Sequence, residues 1–97
     1  MTKSHRMKLT ATVFDAKKPR KIVLQGQQAR TLKSLVERKT DGVTALEISS
    51  WALRLSAYVH ILRHDYGLAI ETQWEKHPGG QHARYVLHTP VEIEAME

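Results

Sequence analysis

The sequence contains no cysteine among its 97 residues. This absence excludes a disulfide framework, a thiolate nucleophile and every cysteine-based zinc or iron–sulfur site, and it is typical of a reducing compartment. No apolar run approaches the roughly 20 residues that a membrane-spanning helix needs. The basic residues 1–6 are not followed by the apolar stretch of a secretory signal. We therefore expect a cytoplasmic protein with no membrane partner.

Size and composition allow one compact domain. A chain of 97 residues has too little material for a second hydrophobic core. Its 41% hydrophobic and 26% charged residues fall in the range of globular proteins, so disorder is expected only at the ends. The sequence shows no internal repeat and no low-complexity segment.

Positive charge is concentrated in the first part of the chain. Residues 1–40 carry eleven Lys or Arg and two acidic residues, a net charge of +9, whereas residues 41–97 have a net charge of −4. A basic surface of this kind is suited to a polyanion such as nucleic acid. The alternative interpretation is that the lysines only keep a small domain in solution.

Alternation of apolar and polar residues predicts two short strands near the start. Residues 8–14 place Leu9, Ala11 and Val13 on one side, which is the period of a half-buried strand. Residues 15–20 contain Pro19 and several charges and are expected to form a loop. Residues 21–24 form a second β-branched run, so an N-terminal hairpin is expected.

Three helices are predicted after this hairpin. Residues 27–38 have apolar residues at spacings of three and four, which indicates an amphipathic helix. Thr44 and Glu47 have the spacing of a capping box that opens a second, short helix ending near residue 50. Residues 54–66 form the third helix, whose core-facing stripe is expected to be Leu55, Val59, Leu62 and Tyr66. Gly67 is expected to end it.

The period changes to two after Gly67, which predicts a hairpin. Residues 68–76 and 81–88 flank the loop HPGG at 77–80. Symmetric closure pairs Ile70 with Leu87 and Trp74 with Ala83 on an apolar face. The same register places Glu71, Gln73 and Glu75 opposite Val86, Arg84 and His82 on the other face. We expect Trp74, like Trp51, to pack in the core or at its rim.

These motifs resemble the winged-helix (helix-turn-helix) domain family of proteobacterial prophages and mobile elements. The resemblance covers about residues 22–90 and depends on GVTALE at 42–47, RLSAYVHILR at 54–63, GLAIET at 67–72 and GQHARYVL at 80–87. It implies an α+β fold, a winged helix-turn-helix with a three-helix core, a C-terminal β-hairpin wing and short N-terminal strands that form a small sheet with the wing. The expected divisions are a flexible basic arm at 1–7, the winged-helix domain at 8–90 and an acidic C-terminal tail at 91–97.

The expected function is sequence-specific binding of double-stranded DNA without catalysis. The side chains near the start of a recognition helix usually reach the base edges in the major groove. The third helix and the turn before it offer Ser49, Ser50, Arg54, Ala57, Tyr58, Ile61 and His64. The wing offers Lys76, His77, His82 and Arg84. Contacts to the DNA backbone are expected from the N-terminal basic segment, namely Lys3, Arg6, Lys8, Lys17, Lys18, Arg20 and Lys21.

Other interpretations stay open at this point. Arg54 could instead cap the helix or pair with Glu47 or Asp65. The domain could be a transcription regulator, an excisionase-type recombination directionality factor, or a protein-interaction module that uses Tyr58, Ile61 and Trp74. Partners besides DNA would be a second copy, in a dimer or a cooperative array, and an integrase or the transcription machinery.

Metal binding and catalysis are not expected. His60 and His64 share one helix face at the i, i+4 spacing, but no third ligand is indicated. The sequence has no phosphate-binding loop, no nucleophile elbow and no clear pair of carboxylates, so we expect no cofactor and no enzymatic activity.

Overall fold

The computed structural model describes residues 7–44 and 54–97 of the chain. These residues form six strands and two α-helices in a mixed α+β arrangement. In chain order the elements are β1 Lys8–Val13, β2 Arg20–Gln25, α1 Gly26–Arg38, β3 Val43–Thr44, α2 Leu55–His64, β4 Ile70–His77, β5 Gly80–Leu87 and β6 Val91–Met96. A 3₁₀ turn, Lys39–Asp41, separates α1 from β3.

The first antiparallel sheet has the strand order β2-β1-β6. The predicted N-terminal hairpin is confirmed, with Leu9 opposite Leu24 and Ala11 opposite Ile22. On the other side of β1, β6 pairs from Leu9 opposite Met96 to Val13 opposite Val91. We expected residues 91–97 to form an acidic tail, but most of them complete this sheet. Its inner face packs on α1, with Leu9, Ala11 and Val13 fully buried.

The second sheet has the order β3-β5-β4 and contains the predicted hairpin. The register is confirmed at every pair from Ile70 opposite Leu87 to Lys76 opposite Gln81. The loop is shorter than expected, because His77 and Gly80 pair and leave only Pro78 and Gly79 in the turn. A proline followed by a glycine at φ +89° fits a type II turn.

The arrangement of the sheets differs from the expectation in two respects. The N-terminal strands and the wing lie in separate sheets, in which β6 and β3 are edge strands. The hairpin is also not the last element of the fold, since β6 follows it and returns to β1. The expectation of a single small sheet with a C-terminal wing is therefore wrong.

The two described helices match the first and third helices predicted. α1 begins one residue earlier than expected, at Gly26. α2 begins after Arg54 and ends at His64, and Gly67 at φ +68° reverses the chain so that the Leu68 amide donates to the Leu62 carbonyl at 3.1 Å. The predicted second helix falls mainly on residues 45–53, outside the described residues. Thr44, its expected first residue, belongs to β3 and is buried.

A single core lies between the two sheets and the two helices. It contains Leu9, Ala11, Val13, Ile22, Leu24, Ala29, Leu32, Leu35, Val43, Leu55, Val59, Leu62, Leu68 and Ile70. The stripe predicted for the third helix is confirmed at Leu55, Val59 and Leu62. Tyr66 is only partly buried, and its hydroxyl donates to the Val23 carbonyl at 3.4 Å. The prediction for Trp74 is wrong, because its side chain is 67% exposed. Trp51 lies outside the described residues.

Candidate nucleic-acid interface

Helix α2 presents one apolar face to the core and an uncharged or basic face to solvent. Leu55, Val59 and Leu62 are buried at the helical spacing that makes one stripe. Arg54, Ala57 and His64 are exposed on the other side, and Ile61 is half-buried there. The segment LSAYVHILRH contains no acidic residue, so this helix carries no repulsive charge toward a phosphate backbone.

Arg54 occupies the first capping position of α2 without capping it. Its backbone has φ −121° and ψ 47°, and its side chain makes no capping hydrogen bond. The Arg54 carbonyl accepts from the Ala57 and Tyr58 amides at 3.0 and 3.1 Å, which starts the helix. The side chain is exposed at the N-terminal end of α2.

Tyr58 and Ile61 lie on a different flank of α2 from Arg63. Tyr58 packs against the core with part of its ring exposed. Arg63 faces strand β4, where its guanidinium donates to the Ile70 carbonyl at 2.9 and 2.6 Å and to the Thr72 hydroxyl at 2.7 Å. Because successive residues turn by ~100°, Tyr58 and Ile61 point away from β4. The structure therefore does not bring them together with Trp74.

Arg63 was not predicted as a positioning residue. It connects α2 to β4 with three hydrogen bonds to neutral oxygens. The helical period predicts that Arg63 lies beside the apolar stripe. It does not predict the hydrogen-bond partners of Arg63, because every residue has a backbone carbonyl.

Three of the four wing residues predicted to contact DNA belong to one network of side-chain hydrogen bonds. His77 Nδ1 and His82 Nδ1 are 2.8 Å apart, and His82 Nε2 lies 2.9 Å from a Glu75 carboxylate oxygen. The Arg84 guanidinium donates to both Glu75 oxygens, at 2.6 and 3.1 Å, and to the Asp41 carbonyl at 2.7 Å. Through the bond from Arg84 to Asp41, this network connects the wing to the 3₁₀ turn. Lys76, the fourth residue, is exposed on the opposite face of the hairpin.

The same network lowers the pKa of the Glu75 carboxyl. The Arg84 hydrogen bonds, aided by His82, hold the pKa of the Glu75 carboxyl below its ordinary value of 4.5. Glu71 on the same face has a lowered pKa because His88 lies 2.7 Å away. The wing therefore carries two ionised carboxylates on this face at neutral pH. They oppose the approach of a phosphate to Arg84 from that side.

Acidification should lower the stability of the domain by protonating Glu75. A carboxyl whose pKa is lowered by folding adds stability above its ordinary pKa of 4.5, and this contribution is lost as the pH falls through the lowered value. We expect Glu75→Gln to reduce the melting temperature at pH 7 and to flatten its decline below pH 4.5. Thermal melts across this range measure the effect. Glu92→Gln, which removes an exposed carboxylate from β6, is the control. Identical profiles for Glu75→Gln and wild type would contradict the prediction.

The N-terminal basic residues divide into exposed and paired groups. Lys8, Lys17 and Lys18 are exposed. Arg20 forms an ion pair with Asp15 at 2.9 Å, which lowers the pKa of Asp15, and it also donates to the Tyr66 carbonyl at 2.5 Å. Lys21 pairs with Glu94 at 3.2 Å. The contact between Arg20 and Tyr66 places the loop that carries Lys17 and Lys18 beside the end of α2.

Several predicted site residues fall outside the described part of the chain. These are Lys3, Arg6, Ser49 and Ser50. Among the described residues, the rings of His60 and His64 lie 4.1 Å apart, and no group of three His, Cys, Asp or Glu side chains could hold a metal ion. Within the same residues, no helix has the length and apolar character to cross a membrane.

The described residues combine two α-helices with two antiparallel sheets, one of which contains the β4–β5 hairpin. A family model described as a winged helix domain matches residues 21–97. The chain therefore belongs to the winged helix domain family, whose members are generally DNA-binding. Searches of curated proteins and of solved structures gave no significant match.

Proposed function

We propose that this protein binds double-stranded DNA in a sequence-specific manner and without catalysis. The observation that carries the proposal is the solvent face of α2, which has Arg54 at its start and no acidic residue along its length. A helix in the major groove has phosphates on both sides, so an exposed face without acidic residues favours this position.

The parts of the interface have separate tasks in this proposal. Arg54 contacts a guanine edge or clamps a phosphate, and Ala57, Tyr58, Ile61 and His64 line the same approach, with the Ile61 side chain suited to a thymine methyl group. Ser49 and Ser50 are proposed to meet phosphates before the helix. Lys17 and Lys18, beside the end of α2, supply backbone contacts together with Lys8, Lys3 and Arg6. Arg20 and Lys21 contribute less, because their charges are already paired.

Two biological tasks fit such a domain. A transcription regulator would bind a palindromic site as a dimer, whereas an excisionase-type recombination directionality factor of a phage or mobile element would bind tandem sites and bend the DNA for an integrase. The absence of a separate dimerisation helix from the described residues favours the second task. Footprinting on selected sites separates them, since tandem repeats with periodic hypersensitivity indicate the architectural task.

The test is selection of bound duplexes from random DNA, followed by affinity measurements at several salt concentrations. We expect log K to fall with log salt at about 0.9 per phosphate contact. Arg54→Ala should weaken binding to the selected duplex by about 1–3 kcal/mol and leave binding to random duplex nearly unchanged. Lys17→Ala is the matched control, because it should weaken binding to both duplexes equally.

The outcomes of this test are distinct. A salt slope near zero would contradict the electrostatic contribution. A folded Arg54→Ala protein that keeps the wild-type ratio of specific to non-specific affinity would remove Arg54 from base recognition. No binding to any duplex at low salt would overturn the proposed function in favour of a protein-interaction module.

A further inference from the structure

Two histidines near the turn of the wing bring their ring nitrogens together. His77 and His82 lie on one face of the β4–β5 hairpin, because His82 is directly opposite Glu75 and His77 comes two residues after Glu75. Their Nδ1 atoms are 2.8 Å apart, and only 16° separates the planes of their rings. Two imidazole nitrogens this close can bind the same metal ion.

The Glu75 carboxylate determines which nitrogen of His82 carries the proton. An ionised carboxylate only accepts hydrogen bonds, so His82 Nε2, which lies 2.9 Å from Glu75 Oε1, is the protonated nitrogen of the neutral ring. His82 Nδ1 therefore has a lone pair, and the hydrogen atom between the two Nδ1 atoms belongs to His77. In its other tautomer, with the proton on Nε2, His77 offers a second lone pair beside the first.

The surroundings of His82 are those of a histidine that binds a metal. Such a histidine commonly donates its second ring N–H to a carboxylate, which fixes the ring and makes the ligating nitrogen more basic. Glu75 has this position, and Arg84 donates to both of its oxygens, at 2.6 and 3.1 Å. The His82 side chain is only 18% exposed, which limits its movement. The orientation of its Nδ1 is therefore fixed before an ion binds.

The distance between the two Nδ1 atoms discriminates between kinds of metal ion. When metal–nitrogen bonds are ~2.0 Å long, neighbouring ligands of a square-planar or octahedral ion lie ~2.8 Å apart, whereas those of a tetrahedral ion lie ~3.3 Å apart. The observed 2.8 Å fits the first geometry. Cu²⁺ and Ni²⁺ bind imidazole in such geometries, whereas Zn²⁺ in structural sites is almost always tetrahedral.

We propose that His77 and His82 chelate one divalent transition-metal ion, Ni²⁺ or Cu²⁺, through their Nδ1 atoms, and that Glu75 is the positioning residue for His82. Water fills the other coordination positions, because residues 7–44 and 54–97 contain no group of three His, Cys, Asp or Glu side chains that could hold a metal. The ion links the end of β4 to the start of β5. This site does not depend on the proposed DNA binding.

His60 and His64 on α2 provide a comparison within the same chain. Their rings are also close, with centroids 4.1 Å apart, but their planes are inclined by 42°. In the part of the chain that the structure describes, no carboxylate binds either ring. This pair lacks the group that fixes the tautomer of His82, so we expect it to bind metal more weakly.

The experiment is calorimetric titration of the untagged full chain with nickel chloride, well below the melting temperature of each variant. The strongest binding event should have one Ni²⁺ per chain, and His77→Ala and His82→Ala should each abolish it. Glu75→Gln keeps an oxygen for His82 but removes the charge, so it should weaken binding by roughly 10- to 100-fold. His60→Ala is the matched control and should leave this event unchanged.

Spectroscopy tests the ligands and the geometry in the wild-type chain. Substoichiometric Cu²⁺ should broaden the ring NMR signals of His77 and His82 before those of His60 and His64. Co²⁺ should give the weak visible absorption of a six-coordinate ion. Without metal, ring nitrogen shifts should show His82 protonated at Nε2, and Glu75→Ala should convert it to a mixture of tautomers, a change that identifies Glu75 as a positioning residue.

Four results would overturn parts of this proposal. Wild-type Ni²⁺ affinity in His77→Ala, or Cu²⁺ broadening that begins at His60 and His64, would remove the site from the wing. The intense absorption of tetrahedral Co²⁺ would contradict the inferred geometry. Unchanged affinity in Glu75→Gln would remove the task assigned to Glu75. None of these measurements includes DNA, so the proposed function stands or fails separately.

Discussion

Replacing Gly42 with alanine is expected to destabilise the domain by a large amount. Gly42 has φ +68°, a conformation that costs other residues about 1–3 kcal/mol. A Cβ at this position would also lie 2.6 Å from the Tyr85 carbonyl oxygen and 2.9 Å from Val86 Cγ2. The carbonyl belongs to the backbone of β5 and cannot move aside cheaply. Crowding should therefore add about 1–3 kcal/mol.

Gly26→Ala provides the matched control for this prediction. Gly26 has nearly the same φ, +65°, but a Cβ there would meet no atom within 4 Å. Chemical denaturation of both variants should show a greater loss for Gly42→Ala, because only there does the added Cβ meet atoms of β5. Equal losses would mean that β3 and β5 separate at little cost, which would contradict the close packing of these strands.

Leu62→Ala is the second substitution with a large expected effect. Leu62 is completely buried on the core side of α2, and its carbonyl receives the amide of Leu68 where the helix ends. Truncation leaves a cavity and should cost about 2–5 kcal/mol of unfolding free energy. For a domain of this size each kcal/mol lowers the melting temperature by about 4–8 °C. Binding to DNA should disappear as the domain unfolds.

The neighbouring residue is the control for Leu62. Ile61→Ala removes a similar number of atoms from the half-exposed side of the same helix, where no enclosed cavity can form. Its loss of stability should be clearly smaller. Comparable losses for the two variants would indicate that the outer side of α2 is packed as tightly as its core side and is not available to a groove.

Local patterns predicted the parts of the fold that depend on local interactions. The hairpin register followed from the turn residues and from alternation, because a short turn allows few ways of pairing its flanking strands. The apolar stripe of α2 followed from the helical period. The fold family was predicted in the same way, since the order of the elements already pointed to a winged helix domain, the family whose model matches residues 21–97.

Local sequence patterns did not predict the contacts between residues that are distant in the sequence. Residues 91–97 alternate apolar and charged side chains, but only the open edge of β1 makes them a strand. Trp74 was placed on the correct face of the hairpin, yet its exposure depends on how far the wing extends past the helices. Arg84 was predicted to contact a phosphate, whereas its guanidinium donates to Glu75 and to the carbonyl of Asp41, which is 43 residues away in the sequence. Each of these outcomes is decided by segments that are distant in sequence.

The pairing of β6 with β1 also has a kinetic consequence. Lys8 and Glu97 exchange two backbone hydrogen bonds, at 3.0 and 2.8 Å, so this ladder joins the two ends of the described chain. The β1–β2 hairpin needs only a short loop, whereas the β1–β6 ladder must close a loop that includes almost the whole domain, at a greater entropic cost. We therefore expect β6 to dock late in folding, after α1 and the hairpin β1–β2 have formed the surface that receives it. Until then β1 has an open edge, the state in which a strand is most prone to pair with another chain.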